Sequence, residues 1–408
     1  MKKSIVLAFG LVVAATIAAS TPASAAFVIG GENGWQLSTD GIVDVFSYYH
    51  STTPLPKDPS PTLKRAASLL DGSTNEQNQR FGIGVGLLPS VVAFNVKAPT
   101  TNGVDSTVRI GLYPSIQNQN DTRFNTGGNI DFREIFYTAK GAYGELLAGR
   151  ALNLYQGKNI LTDMTLLTSG VVGARGNTVN LGHIGYGYLY TGFGPQLRYT
   201  TPDMAGVKVA LEVAEPYKIT ANTGKTNSPR VEAEVSYAGK IGAATTQAWL
   251  SGLYQTAPRK TGNSNDQSIG GAYGASIGFS DLNLLGSGYV GRGLGMLSVQ
   301  DGDILGNSTS DENGKTRLHW GYLLQATYKL TPSIMMGVNY GQSRQEKNDT
   351  EGATFIGMKN QEAAVATITY NLNKFTQFVA EYIYAQNTWM DGAKQHSNAV
   401  ALGTMFYW

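Results

Sequence analysis

The residues best suited to acid–base or metal chemistry are four histidines, and their spacing argues against both. His50, His183, His319 and His396 lie far apart, and none stands at ligand spacing from another. Cysteine is absent, which removes thiolate metal sites, cysteine nucleophiles and attached heme. No nucleophile elbow or phosphate-cradling glycine loop occurs. Glu232 and Glu234 share one face of an alternating stretch and read as an exposed pair rather than a catalytic dyad; His319 reads as a solvated side chain. The sequence thus offers no catalytic residue, no cofactor site and no metal site. What it offers is fixed charge. Arg80, Lys97, Arg109, Arg198 and Lys208 each fall opposite the apolar face of an alternating stretch. Taken singly, each is equally well an ordinary solvated side chain. Their concentration in the first seven of these stretches favours a set that acts on small ions.

The elements that carry these charges are strands. From Thr316 to Tyr328, Leu318, Trp320, Tyr322, Leu324, Ala326 and Tyr328 fall on one face. Arg317, His319, Gly321, Gln325 and Thr327 fall opposite, with Leu323 the exception. A period of two over a dozen residues is strand, not helix. The same alternation predicts strands over 34–49, 78–98, 104–113, 130–139, 144–150, 188–201, 206–214 and 229–238. It continues over 242–255, 268–279, 282–292, 315–328, 333–343, 361–371, 375–386 and 397–408. That makes sixteen if 78–98 is one long strand with Pro89 at an irregularity, and seventeen if it is two. With sixteen, short connections such as 140–143 and 280–281 alternate strictly with long ones such as 50–77 and 151–187. Splitting 78–98 would break that parity for every later connection, so the expected fold is all-β: a sixteen-stranded antiparallel transmembrane β-barrel. Strand 34–49 would close it against 397–408, leaving no unpaired edge in lipid.

Composition agrees. Charged residues are only 15% of the chain, with 50 Gly and 22 Tyr, where a soluble domain carries about 25% charge. Residues 1–25 read as a cleaved signal peptide: Lys2 and Lys3, an apolar run from Ile5 to Ala19, then Ala23-Ser24-Ala25. The barrel domain is then 26–408. Those two lysines account for the whole excess of 31 basic over 29 acidic residues. The processed chain is formally neutral, which gives no support for a nucleic-acid partner. After the signal, no stretch approaches the roughly 20 apolar residues of a spanning helix.

At this point the chain resembles the general porins of Gram-negative bacteria, especially their β-proteobacterial branch. The most specific block runs from Arg133-Glu134-Ile135-Phe136-Tyr137 through Gly141-Ala142-Tyr143-Gly144-Glu145 to Leu146-Leu147-Ala148-Gly149-Arg150. It is similar to the family's arginine-led strand, glycine-rich turn and return strand ending in Gly-Arg. Leu197-Arg198-Tyr199-Thr200-Thr201-Pro202-Asp203-Met204-Ala205-Gly206 is a second match, and the aromatic end Phe406-Tyr407-Trp408 a third. The family usually ends in Phe; here the terminal aromatic is Trp408.

The resemblance implies that the 151–187 connection folds into the barrel and narrows the pore. The apolar run Leu161-Thr162-Asp163-Met164-Thr165-Leu166-Leu167 suits a loop packed on a wall. It also adds Arg133 and Arg150 to the basic set, although Arg150 shares parity with Leu146 and Ala148 and points inward only if Gly149 permits a bulge. The family's acidic half of the constriction is reduced here to Asp163, against Lys158 and Arg175, so a net basic constriction with a modest anion preference is expected. Phe406 and Trp408 are expected to mark the last strand for the barrel assembly machinery. The implied setting is the outer membrane, with its lipid and a homotrimer as partners and small ions and solutes as cargo. Passive diffusion is the leading function. A porin selective for an anionic solute such as phosphate or an organic acid is the alternative; a scaffold barrel plugged by its loop or an electron-carrying partner is a third.

Overall fold

In the computed structural model the structure describes residues 27–70, 78–118, 128–173, 179–217, 226–259, 265–301, 309–311, 313–352 and 354–408. The expected signal segment therefore lies outside the described residues. The strands are β1 (Phe27–Gly30), β2 (Gln36–Thr52), β3 (Asn78–Gly84), β4 (Val91–Lys97), β5 (Asp105–Pro114) and β6 (Ile130–Gly141). Next come β7 (Gly144–Leu152), β8 (Phe193–Thr200), β9 (Val207–Ala214), β10 (Arg230–Ile241), β11 (Ala244–Pro258) and β12 (Asn265–Phe279). The series ends with β13 (Leu282–Arg292), β14 (Leu318–Thr331), β15 (Ile334–Glu346), β16 (Met358–Asn371), β17 (Thr376–Trp389) and β18 (Lys394–Tyr407). One short helix, α1 (Gly157–Thr162), and one 3-10 turn (Met164–Leu167) lie between β7 and β8.

All pairings between named strands are antiparallel, and they close. β18 pairs with β2 from Ser397↔Thr52 to Tyr407↔Ile42, and β9 pairs with β10. On its other side β2 meets β3 over Phe46–Thr52 and β4 over Gln36–Ile42. β3 and β4 are thus two halves of one barrel strand, interrupted at 85–90 around Pro89, and the wall has sixteen strands. β1 is an addition that the alternation did not predict. It pairs with Thr39 and Ser38 of β2 on the same side as β18, so Trp408 and Phe27 share one line, a single position opposite Asp40 apart.

Side chains alternate as a membrane barrel requires. Leu250, Leu284, Leu324, Val338 and Leu402 face outward and are exposed, a surface that suits lipid rather than water. Tyr328, Tyr370, Phe375, Phe378 and Phe406 lie near the short-turn end, where aromatic girdles sit. The buried core is inside the barrel. Leu69, Leu70, Val171, Val172, Tyr186 and Met296, all from long connections, pack on inward-facing Val365, Val379, Ile383, Trp389, Ala399 and Met405. Leu323, the misfit in β14's alternation, belongs to a second inner cluster with Ile160, Leu166, Ile184 and Tyr188. An apolar residue on the lumen face marks where a loop is seated.

One strand boundary and one histidine need correction here. The strand predicted over 188–201 begins only at Phe193: Tyr188 is fully buried and belongs to the inward loop. Tyr186, Tyr188 and Tyr190 alternate as a strand would, but Gly185, Gly187 and Gly192 hold positive φ and turn the chain into the lumen. His319 is not solvated either. It is fully buried, with Nδ1 3.0 Å from the carbonyl oxygen of Arg317.

Candidate functional site: a loop-lined lumen

The described parts of the connection between β7 and β8, residues 153–173 and 179–192, run inside the barrel and are fixed to the wall at many points. Gln156 in the left-handed conformation starts α1. The Asp163 carboxylate then caps the 3-10 turn, accepting from the backbone N–H of Thr165 at 2.9 Å. Wall side chains supply the partners that a loop in water would take from solvent. Glu232 accepts the N–H of Tyr155 at 2.7 Å, and Trp249 Nε1 donates to Asn159 at 3.0 Å. Gln325 accepts from Met164 N–H at 2.7 Å, and Asn339 donates to Asp163 at 3.2 Å. Ser343 accepts from Gly187 N–H at 3.0 Å, and Gln361 donates to the Gly185 carbonyl at 2.9 Å. Glu381 accepts from Ser169 and Gly170 N–H at 2.9 and 3.1 Å. The loop therefore lines β10, β11 and β14–β17. On the strands β5–β8, inward-facing Thr107, Phe136, Thr138 and Arg198 stay partly exposed.

Those uncovered strands carry the cations. Arg109 donates to Asp40 at 2.9 Å, to Glu134 at 2.8 Å and to Asn95 at 3.1 Å. Arg198 lies 4.0 Å from Glu212 and donates to the Leu152 carbonyl at 3.2 Å. The side chains of Arg109 and Arg198 are each 16% exposed, while Asp40 and Glu212 behind them are at 2% and 0%. Each cation is therefore more exposed than the carboxylate it pairs with.

Arg133 reaches the same side through a bulge. Gly111 pairs with Glu134 and Leu112 with Phe132, so Arg133 is the extra residue. Its guanidinium lies 5.4 Å from the Tyr113 ring centre and pairs with Asp131 at 2.8 Å. Arg80 faces inward near the long-loop end, cross-strand from buried His50. Lys97 and Lys208 also face inward but stand beside the short turns, 3.7 Å from Asp105 and 4.0 Å from Asp203. The basic set is therefore spread along the lumen rather than gathered in one ring.

Arg150 departs from the set. The register pairs it with outward-facing Ile135, and no register shift interrupts the β6–β7 ladder. Gly149 has positive φ, yet Arg150 stays exposed with its guanidinium on the Phe193 carbonyl oxygen. On the loop, Asp163 does not face the lumen: it is fully buried and takes the Tyr188 hydroxyl at 2.7 Å. Lys158 is 4.0 Å from Glu234. Arg175 lies outside the described residues.

The acids behind the cations were the residues that alternation undervalued. Glu232 and Glu234, expected to be exposed, are buried beneath the loop; Glu232 pairs with buried Arg230 at 2.9 Å. Asp40 and Asp44 oppose Val43 and Val45 by parity, a signal present in the sequence. Glu134 was hidden by the bulge. In the loop itself, burial holds the His183 imidazole below its ordinary pKa, partly opposed by Asp163 at 3.8 Å, so it is neutral at pH 7.

The comparisons agree with this geometry. No curated protein matches the chain. Among solved structures, it is similar to the outer membrane channel DcaP of Acinetobacter baumannii, with 14% identity, TM-score 0.70, and 94% of this chain and 100% of that one covered. It is similar to an anion-selective porin from Comamonas acidovorans at 14% identity and TM-score 0.62, covering 92% and 100%. OmpF of Salmonella typhi follows at 13% identity and TM-score 0.56, covering 92% and 98%. At such identities the likeness is one of fold. A family model described as Gram-negative porin matches residues 10–388, and the chain belongs to that family of outer-membrane channels.

Proposed function

We propose that this channel passes small hydrophilic solutes and ions by passive diffusion, with a modest preference for anions. The carrying observation is the layering of charge on β5–β8. The side chains of Arg109 and Arg198 are partly exposed, and their carboxylate partners are more deeply buried. A permeant ion at van der Waals distance meets the cation first. The acids, two of them at Arg109, oppose that field farther out, which keeps the preference small. Reversal potentials of purified protein in a planar bilayer under a salt gradient test this: an anion-to-cation permeability ratio above one is expected, and a cation-selective channel overturns it.

A second reading has an observation of its own. Arg109 is held by three side chains at once, and a guanidinium fixed in this way suits a binding site for an anionic solute such as phosphate or an organic acid. Block of the current by one such anion at micromolar concentration favours selective transport; equal conductance for all favours simple diffusion.

The remaining features of the reading are processing and assembly. Residues 1–25 act as a cleaved signal, supported by Lys2 and Lys3, the apolar run from Ile5 to Ala19 and the small-residue site Ala23-Ser24-Ala25. The barrel sits in outer-membrane lipid as a homotrimer, and Phe406 and Trp408 present the last strand to the assembly machinery.

A further inference from the structure

The interruption between β3 and β4 turns inward, and its backbone bonds to the constriction loop. Leu87 N–H donates to the Thr168 carbonyl at 2.9 Å, and Leu88 N–H to the Leu166 carbonyl at 3.2 Å. The Gly86 carbonyl accepts from Asn180 N–H at 3.2 Å. Both limbs of the loop are engaged, and they are joined to each other: Leu181 N–H donates to Val171 at 2.8 Å and Val171 N–H to Gly182 at 3.0 Å. The packing is close. A Cβ on Gly86 would stand 2.5 Å from the Thr168 carbonyl oxygen, and one on Gly182 would stand 2.4 Å from Leu87 Cδ2.

The knuckle is itself held by one buried carboxylate of β2. Asp44 accepts from Gly86 N–H at 2.6 Å and from the Ser90 hydroxyl at 2.9 Å, and its own N–H donates to Ser90 Oγ at 3.0 Å. Elsewhere the wall holds the loop mainly through side chains. Here backbone meets backbone.

We infer that the 85–90 knuckle is the positioning element that fixes the loop's place in the lumen, with Asp44 as the residue that holds it. The irregularity at Pro89 is then a working part of the channel: six residues withdrawn from the wall ladder give the loop a docking edge.

The test uses Gly86→Ala and Asp44→Asn in the full-length protein, with conductance and reversal potential as readouts. Gly86 lies outside the β3 and β4 ladders, so the added methyl presses on the Thr168 carbonyl of the loop and on the Phe46 ring without removing a ladder hydrogen bond. Heat-modifiable mobility on gels reports barrel folding separately. Both variants are expected to fold and to show a changed unitary conductance, larger open-channel current noise and a shifted reversal potential. Folded variants with wild-type conductance, noise and reversal potential overturn the inference. If Asp44→Asn fails to fold, Gly86→Ala decides alone. If no variant conducts although all are folded and wild type conducts, the knuckle is needed for an open channel, which also supports it; if wild type does not conduct, the channel reading itself fails.

Discussion

At the scale of single residues, the lumen is governed by which member of each ion pair water can reach. Arg109 illustrates the point. Replacing it by alanine leaves Asp40 and Glu134 without their shared cation and turns an anion-facing position into a cation-facing one. A unit charge at about 4 Å in water is worth roughly 1 kcal/mol, or about a five-fold ratio. Arg109→Ala is therefore expected to lower the anion-to-cation permeability ratio about two- to five-fold in bilayer recordings, and Asp40→Asn to raise it. His183 gives a pH dependence of definite sign. Its pKa is depressed by burial in the seated loop, and it recovers a value near 6.5 when the loop leaves the wall. The seam is at full strength above about pH 6.5 and weakens as pH falls below it. Open-channel noise should rise on acidification to pH 5, and the His183→Gln variant should lack that component. Asp301, pushed up to about 7 by burial in the 293–301 segment, acts oppositely: that segment is strongest in acid and weakens as pH rises through 7. The difference between wild type and His183→Gln isolates the histidine.

At the scale of elements, three long connections converge inside the wall, and the lumen face of the wall is adapted to them. Leu69 and Leu70, the 153–192 loop, and Met296 of the 293–301 segment pack on inward-facing apolar residues of β16–β18. Such residues are a cost in a water-filled pore and a gain under a loop, since burying one is worth about 1.5–3 kcal/mol. The knuckle shows the same economy in the backbone. A strand interruption leaves N–H and C=O groups unpaired, and here the loop supplies their partners. The loop's place therefore depends on the knuckle, and because Gly86 lies outside both ladders a substitution there is expected to be felt in the current rather than in the fold.

At the scale of the whole molecule, closure depends on one seam, where the last strand meets the first. Trp408 exchanges backbone hydrogen bonds with Gly41, at 3.1 and 3.2 Å, and its ring covers the position a Gly41 side chain would take. Deleting Trp408 removes two ladder bonds and an interfacial aromatic without touching the lumen. The expected outcome is slower appearance of the folded, heat-modifiable form, with the unitary conductance of folded molecules unchanged. Altered conductance would instead tie the seam to the pore.

The sequence by itself determined the architecture. Alternation of period two is local, and it survives because each outward residue answers to lipid regardless of its neighbours; Val231, Val235, Leu324 and Val338 were legible for that reason. Alternating loop lengths then counted sixteen strands through the break at Pro89. Inward-facing Arg80, Lys97, Arg109, Arg198 and Lys208 were legible by the same parity. What only the tertiary structure decided are the properties that depend on register shifts and on contacts between distant segments. The bulge that brings Arg133 and Glu134 to one side and the burial of Asp163, His319, Glu232 and Glu234 are of this kind, whereas Arg150 faces outward as its parity with Leu146 and Ala148 indicates. Parity assigns a side chain to the lumen, but whether it meets water there depends on which part of the chain has folded in above it.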